Sequence, residues 1–338
     1  MYNLEEEELI NAIKKRAAKR VLLQFPNGLR KYAFKLAKKI EEEANVEAII
    51  SADPCYGACD LAIEDLKHVN ADLLIHYGHA KIPNLKFENI IFIEARSKID
   101  VEQAVLKAAE IFKNEEKIGL LTTIQHIDFL TKAKTILENI GKKVYIGNPG
   151  EKTIYKGQIL GCDLTAAKDI ADKVEGFIVI SGGNFHGLGV QLTTGKKTVV
   201  ADPFLNEARI LDELVKATIR KRWIQISRFS ECKNIGVLLI LKSGQLNLKL
   251  AEKMKNEIEK KKKKSILICV REVTPENLNS FIDVEAFVNT GCPRIPIEDQ
   301  LKFEKPILNP EEALIGLGVI PWENYGKTLL EKNIWKLF

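Results

Sequence analysis

The chain has 338 residues, 46% of them apolar and 29% charged, with 51 Lys and Arg against 46 Asp and Glu. That length accommodates two to three domains with cores of their own, and the net charge of +5 gives no ground for a nucleic-acid partner. The longest purely aliphatic run, 237–241, is far short of the roughly 18 residues a bilayer span needs, and the chain opens with Glu5 to Glu8 where a leader would be basic and apolar, so a soluble, cytoplasmic protein with no membrane partner is expected.

Taken in chain order, the apolar runs form a threefold repeat. A predicted strand at 20–25 precedes a helix whose apolar stripe is Leu29, Tyr32, Ala33, Leu36, Ala37 and Ile40, followed by strands at 46–50, 71–76 and 90–93 and a closing helix at 101–113. The pattern restarts with a strand at 117–122, a stripe of Phe129, Ala133, Ile136, Leu137 and Ile140, strands at 143–146, 176–180 and 198–201, and a helix at 206–227. It restarts again with 234–240, a stripe of Leu246, Leu250, Met254 and Ile258, strands at 265–270, 285–289 and 306–308, and a helix at 323–336. Strands apolar on both faces that alternate with helices predict parallel sheets covered on both sides. The expected fold is therefore α/β: three similar Rossmann-like modules with small parallel sheets in a pseudo-threefold arrangement, cut at 1–113, 114–230 and 231–338. One long doubly wound sheet is the alternative. Lys260 to Lys264 stand where the first helix of unit three should end, as expected for a solvated C-terminus favoured by the helix dipole.

Six cysteines, too few and too scattered for a disulfide scaffold, are expected as free thiols or metal ligands. Cys55 and Cys59 follow the second strand of unit one, Cys162 the second strand of unit two, and Cys292 the third strand of unit three. All lie at the strand ends where open parallel sheets bind ligands. Cys269, within an apolar run, reads as an inert core residue, and Cys232 has no motif context. One thiolate per unit would leave one iron of a [4Fe-4S] cluster open to substrate. Cys55 and Cys59 with two of His68, His76, His79, His126 and His186 would instead suit zinc, although no second close cysteine pair accompanies them. The C-x3-C-x2-C pattern of ordinary radical S-adenosylmethionine (SAM) enzymes fails, because Ala62 stands at the third position.

The strings Asp53-Pro54-Cys55-Tyr56-Gly57-Ala58-Cys59-Asp60, Leu160-Gly161-Cys162 and Asn289-Thr290-Gly291-Cys292-Pro293-Arg294 resemble the three cysteine motifs of the diphthamide synthase family in its archaeal form. The likeness extends over nearly the whole chain, through Gln24-Phe25-Pro26-Asn27-Gly28-Leu29, Gly183-Asn184-Phe185-His186-Gly187-Leu188-Gly189, Asp202-Pro203 and Lys242-Ser243-Gly244-Gln245. It implies a non-classical radical SAM enzyme with a [4Fe-4S] cluster on Cys59, Cys162 and Cys292, and with Cys55 as a neighbour. The implied reaction transfers the 3-amino-3-carboxypropyl group of SAM to a histidine of translation elongation factor 2, the first step of diphthamide formation. A homodimer and an external electron donor belong to the same expectation. Gly182, Gly183 and His186, the loop residues Gln24, Gly28, Ser243, Gly244 and Gln245, and Arg294 as a carboxylate partner are the expected SAM contacts. A quinolinate synthase-like [4Fe-4S] enzyme and a non-catalytic cluster-bearing or zinc-bearing subunit are the competing readings.

Overall fold

The computed structural model of the chain describes residues 2–325. Its first module runs α1 (Glu6–Lys15), β1 (Arg20–Gln24), α2 (Ala33–Ala44), β2 (Glu47–Ile50), α3 (Ile63–His68), β3 (Leu73–Tyr77) and β4 (Ile90–Ile93). The second runs α4 (Glu102–Ile111), β5 (Lys117–Thr122), α5 (Leu130–Asn139), β6 (Lys143–Tyr145), α6 (Thr165–Lys168), β7 (Gly176–Ile180), α7 (Phe185–Thr194), β8 (Lys197–Asp202) and β9 (Glu207–Ile210). The third runs α8 (Asp212–Glu231), β10 (Asn234–Ile240), α9 (Leu248–Lys260), β11 (Lys264–Val270), α10 (Pro275–Leu278), β12 (Ala286–Asn289), α11 (Arg294–Glu298), β13 (Ile307–Leu308) and α12 (Pro310–Gly316).

The chain therefore builds three separate sheets, of orders β2-β1-β3-β4, β6-β5-β7-β8-β9 and β11-β10-β12-β13. All pairs are parallel except β8 with β9. The alternative of one long sheet is excluded. Alternation along each first strand divides its side chains between two cores. Val21 and Leu23 pack under α1 and α2, while Leu22 faces Leu61, Ala62 and Leu74 on the opposite side. In every sheet the first and third strands are adjacent, and the connections leaving them run to opposite sides. This creates the topological switch point at which such sheets hold ligands.

The linking helices pack forward. Ala104, Val105 and Ala108 of α4 lie in the core of the second sheet with Ile118, Leu120 and Ile178, and Ile226 and Phe229 of α8 lie in that of the third with Ile235 and Val237. The helix expected over 206–227 is corrected: Asn206 turns at φ 53°, and β9 then pairs antiparallel with β8 from Asp202↔Glu207 to Val199↔Ile210 before α8 starts at Asp212. Asp202 fixes that turn, accepting from the Phe204 N–H at 2.9 Å and from Arg209 Nη2 at 2.9 Å. Cys269 is also corrected, because β11 is an edge strand and the Cys269 side is exposed. The helix expected over 323–336 lies, from residue 326 on, outside the described residues.

One buried ion pair ties α8 to α12 within the third module. Arg222, 1% exposed, reaches both carboxylate oxygens of Glu312 at 2.7 Å and donates to the carbonyls of Pro296 (2.7 Å) and Ile307 (2.8 Å). Arg222→Ala strands Glu312 as an unpaired buried charge, and urea denaturation is expected to show a loss of about 3–5 kcal/mol. Pairing Arg222→Met with Glu312→Leu is expected to recover most of it.

Candidate metal and substrate cleft

Cys59 follows β2, Cys162 precedes α6 and Cys292 precedes α11, so each thiol enters from the loop after a strand of its own module. All three line one cleft of about 340 Å³, together with Lys152, Gly244, Gln245, Gly291 and Asn309. The thiols are close enough to influence one another. Burial pushes Cys59 up to about 12, with Cys162 and Cys292 adding to the shift, and burial likewise pushes Cys292 up. In the absence of a metal, both hold their protons at neutral pH.

The wall behind Cys59 is built by the third module. The Gly244 N–H donates to the Cys59 carbonyl at 2.8 Å, Ser243 Oγ accepts from the Leu61 N–H at 3.1 Å, and Gln245 Nε2 donates to Cys59 Sγ at 3.4 Å. Lys242 reinforces the joint, with Nζ 2.8 Å from Asp60 Oδ2 and 2.6 Å from Glu272 Oε1. A Cβ on Gly244 would lie 2.6 Å from the Cys59 Cα and one on Gly291 2.4 Å from Ile240 Cγ1, so both positions exclude any side chain.

Donors and positive charge face the other thiols. Burial works against the charge of Lys152, yet the Cys162 sulfur beside it, which accepts its hydrogen bond, outweighs that penalty and holds the ammonium above its usual value. The Arg294 N–H donates to the Cys292 sulfur. Asn309, 2% exposed, has an Nδ2 without a hydrogen-bond partner among the described residues. Lys152 and Asn309 escaped the sequence reading. Asn309 follows the fourth strand of unit three directly before Pro310, a helix-start signal that could have placed it at a strand end. Lys152 had no comparable signal, because the loop from β6 to Cys162 has no periodicity.

The other expected contacts have different surroundings. Gln24 is buried beneath the Cys55–Cys59 loop, donating to the Asp60 carbonyl at 2.7 Å and accepting from the Ala62 N–H at 3.2 Å. It lines a neighbouring cleft of about 780 Å³ with Asp60, Lys242 and Ser243. Gly28 is exposed in the turn after β1, with open space where a Cβ would go. Gly182 and Gly183 are exposed after β7. His186 starts α7 beside Phe185, and burial followed by the Arg294 charge lowers it to about 4. The Arg294 guanidinium is paired with Glu298 and lies 5.2 Å from the Phe185 ring centroid.

Cys55 and Cys59 face different surroundings. Cys59 shares the cleft with Cys162 and Cys292, whereas Cys55 is grouped with His76 and His79, ligand atom to ligand atom within 4.8 Å. Burial lowers both histidines, His79 to about 4.

Comparison with known proteins gives a consistent picture. Residues 25–326 match the diphthamide synthesis protein family. The chain is 36% identical to the 2-(3-amino-3-carboxypropyl)histidine synthase of Pyrococcus horikoshii, covering 94% of this chain and 92% of that protein. It is 28% identical to the synthase of Methanocaldococcus jannaschii, covering 92% and 89%. The crystal structure of Dph2 from Pyrococcus horikoshii with a 4Fe-4S cluster superposes with a TM-score of 0.88 at 36% identity, covering 95% of this chain and 93% of that one.

Two measurements follow. Gly244→Ala drives a methyl group into the Cys59 backbone, and iron retained after anaerobic reconstitution is expected to fall by more than half, while the circular dichroism of the modules is unchanged. His76, His79, His126 and His186 all have pKa values below the ordinary 6.5 in the folded chain, chiefly through burial. Their contribution to stability is complete above about pH 6.5 and is lost as pH falls toward the folded values, so the urea midpoint of the metal-free chain is expected to drop between pH 6.5 and 4. A midpoint that stays flat over that range would count against these burial assignments.

Proposed function

The chain belongs to the diphthamide synthesis protein family, and from that membership and the three-thiol cleft we propose that it transfers the 3-amino-3-carboxypropyl group of SAM to a histidine of translation elongation factor 2. The observation that carries this reading is the convergence of Cys59, Cys162 and Cys292, one from each module, in one small cleft. The donor set fits a [4Fe-4S] cluster. It offers three thiols and no fourth, two glycines against which no side chain fits, and hydrogen-bond donors aimed at the sulfurs. The Dph2 relative with its 4Fe-4S cluster supports the same choice.

When bound there, such a cluster would supply one electron from an external donor and an iron without a cysteine ligand, open to the sulfonium end of SAM. The residues of the chain do the rest. Gln245, Lys152 and the Arg294 N–H donate toward the three cysteine sulfurs and draw electron density from them, which tunes the potential of the site. Lys152 and the unpartnered Asn309 amide are placed to receive the carboxylate of the aminocarboxypropyl chain, and Leu246, Leu250 and Pro293 give the cleft its apolar wall. In the reaction one electron breaks the bond from sulfur to the aminocarboxypropyl carbon, methylthioadenosine leaves, and that carbon bonds to a ring carbon of the histidine, whose displaced hydrogen leaves as a proton while the one electron is given back, so the transfer consumes no net reductant. The proposal includes a homodimer working in the cytoplasm, where the six free thiols would stay reduced. Among the described residues no helix is long and apolar enough to cross a membrane.

Anaerobic reconstitution is expected to give about four irons per chain, and the loaded protein with dithionite, SAM and elongation factor 2 should form methylthioadenosine together with a histidine adduct of matching mass. Cys59→Ala, Cys162→Ala and Cys292→Ala should each reduce both products to background. Methylthioadenosine formation that survives the triple variant overturns the proposal.

A further inference from the structure

Cys55, His76 and His79 lie apart from the three-thiol cleft. His76 and His79 sit at the end of β3 and Cys55 in the loop after β2, on the side of the first module where the switch point of its sheet opens, and the cluster reading makes no use of them. His76 is fully buried near the end of β3, His79 lies two residues beyond Tyr77 and is half-buried, and Cys55 descends from the loop after β2 and is 4% exposed.

Hydrogen bonding fixes the direction of the first imidazole. Gln24 Nε2 is committed to the Asp60 carbonyl and Gln24 Oε1 already accepts from the Ala62 N–H, so the oxygen is the atom 2.9 Å from His76 Nδ1. An oxygen there can only accept, so His76 carries its proton on Nδ1. Its bare Nε2 then accepts from the Nδ1–H of His79, 3.0 Å away. A histidine held through one nitrogen by an amide oxygen, with the other nitrogen bare, is the second-shell arrangement of metal-binding imidazoles. Two nitrogens each 2.0–2.1 Å from one zinc ion stand ~3.3 Å apart at the tetrahedral angle, so the observed pair is near ligand spacing already. The Cys55 sulfur lies within 4.8 Å of one ring nitrogen of each histidine. The tetrahedral sulfur–nitrogen edge is ~3.6 Å, so the sulfur closes by about 1 Å.

We propose that Cys55, His76 and His79 form a second metal site, which binds one zinc ion through a thiolate and two imidazoles and leaves a fourth position open. Thiolate with imidazole is a donor set for a borderline-soft ion and not for magnesium or calcium, and three protein ligands with one open position is an established zinc arrangement. Binding releases the Cys55 proton to solvent, shifts the His79 proton from Nδ1 to Nε2 so that Nδ1 can ligate, and changes no oxidation state. The site tethers the first residue of the Cys55–Cys59 loop to the end of β3, four positions from the thiol that enters the main cleft.

The test uses the full chain, reconstituted anaerobically with its cluster, exposed to zinc chloride and freed of loose metal on a chelating resin. About one zinc per chain is expected beside the iron, with a zinc-edge absorption spectrum fitting one sulfur at about 2.3 Å and two imidazole nitrogens at about 2.0 Å. Cys55→Ser and His79→Ala should each lower zinc at least fivefold and leave the iron count unchanged, which also certifies that the variants fold. Cys59→Ser should remove iron and leave zinc in place. The proposal fails if less than a tenth of an equivalent of zinc remains, since the two imidazoles then share only a hydrogen bond. It also fails if the zinc shell contains three sulfurs, since the metal has then entered the main cleft, or only light atoms, since binding is then adventitious. None of these outcomes depends on SAM cleavage, so the site stands or falls separately from the proposed transferase activity.

Discussion

The Gly244 N–H reaches the Cys59 carbonyl across the junction of the first and third modules, and the cleft depends on that approach. It brings two backbones so close that even a methyl group would overlap the Cys59 Cα. Once the loops are joined there, Ser243 can receive the Leu61 N–H, Gln245 can reach the Cys59 sulfur, and Lys242 can bridge Asp60 and Glu272. None of these bonds is strong alone, and exposed versions would contribute little. Held together in a half-buried joint, they fix where one thiol stands relative to the other two.

Much of this architecture was legible in the sequence, because the signals were local and repeated. The four strands of each unit came from short apolar runs, and the structure places them in the same order in all three sheets. The three cysteines shared a position after a strand, which was enough to anticipate one meeting place. What failed was equally physical. Residues 206–227 carry the charges and apolar spacing of a helix throughout, but the side chain of Asp202 caps a tight turn and recruits Glu207–Ile210 into the sheet, a contact invisible to periodicity. Cys269 sits in an apolar run, yet its strand is an edge, and apolarity alone does not tell an edge from a centre.

The finer assignments depended on contacts between distant segments. Gln24 stands at a strand end, as a cleft residue would, but its amide is used to hold the cysteine loop and the tautomer of His76. Lys152 and Asn309 reach the cleft from loops that carry no motif of their own. Cys55 and Cys59, one helical turn apart in sequence, face separate groups of side chains because the loop between them is not helical.

The forward packing of α4 and α8 bears on the order in which the chain takes shape during synthesis. Each linking helix emerges before the sheet it covers, so its apolar face meets its partners within the next stretch of chain instead of waiting for a distant return. Contacts of that kind close short loops and form early, and modules are completed one after another from the N-terminus. The joint at Gly244 and the thiol of Cys292 are both contributed by the last module. Two of the three cysteines are therefore displayed on finished surfaces well before the third exists, and the three-thiol cleft is complete only after translation has passed the final repeat.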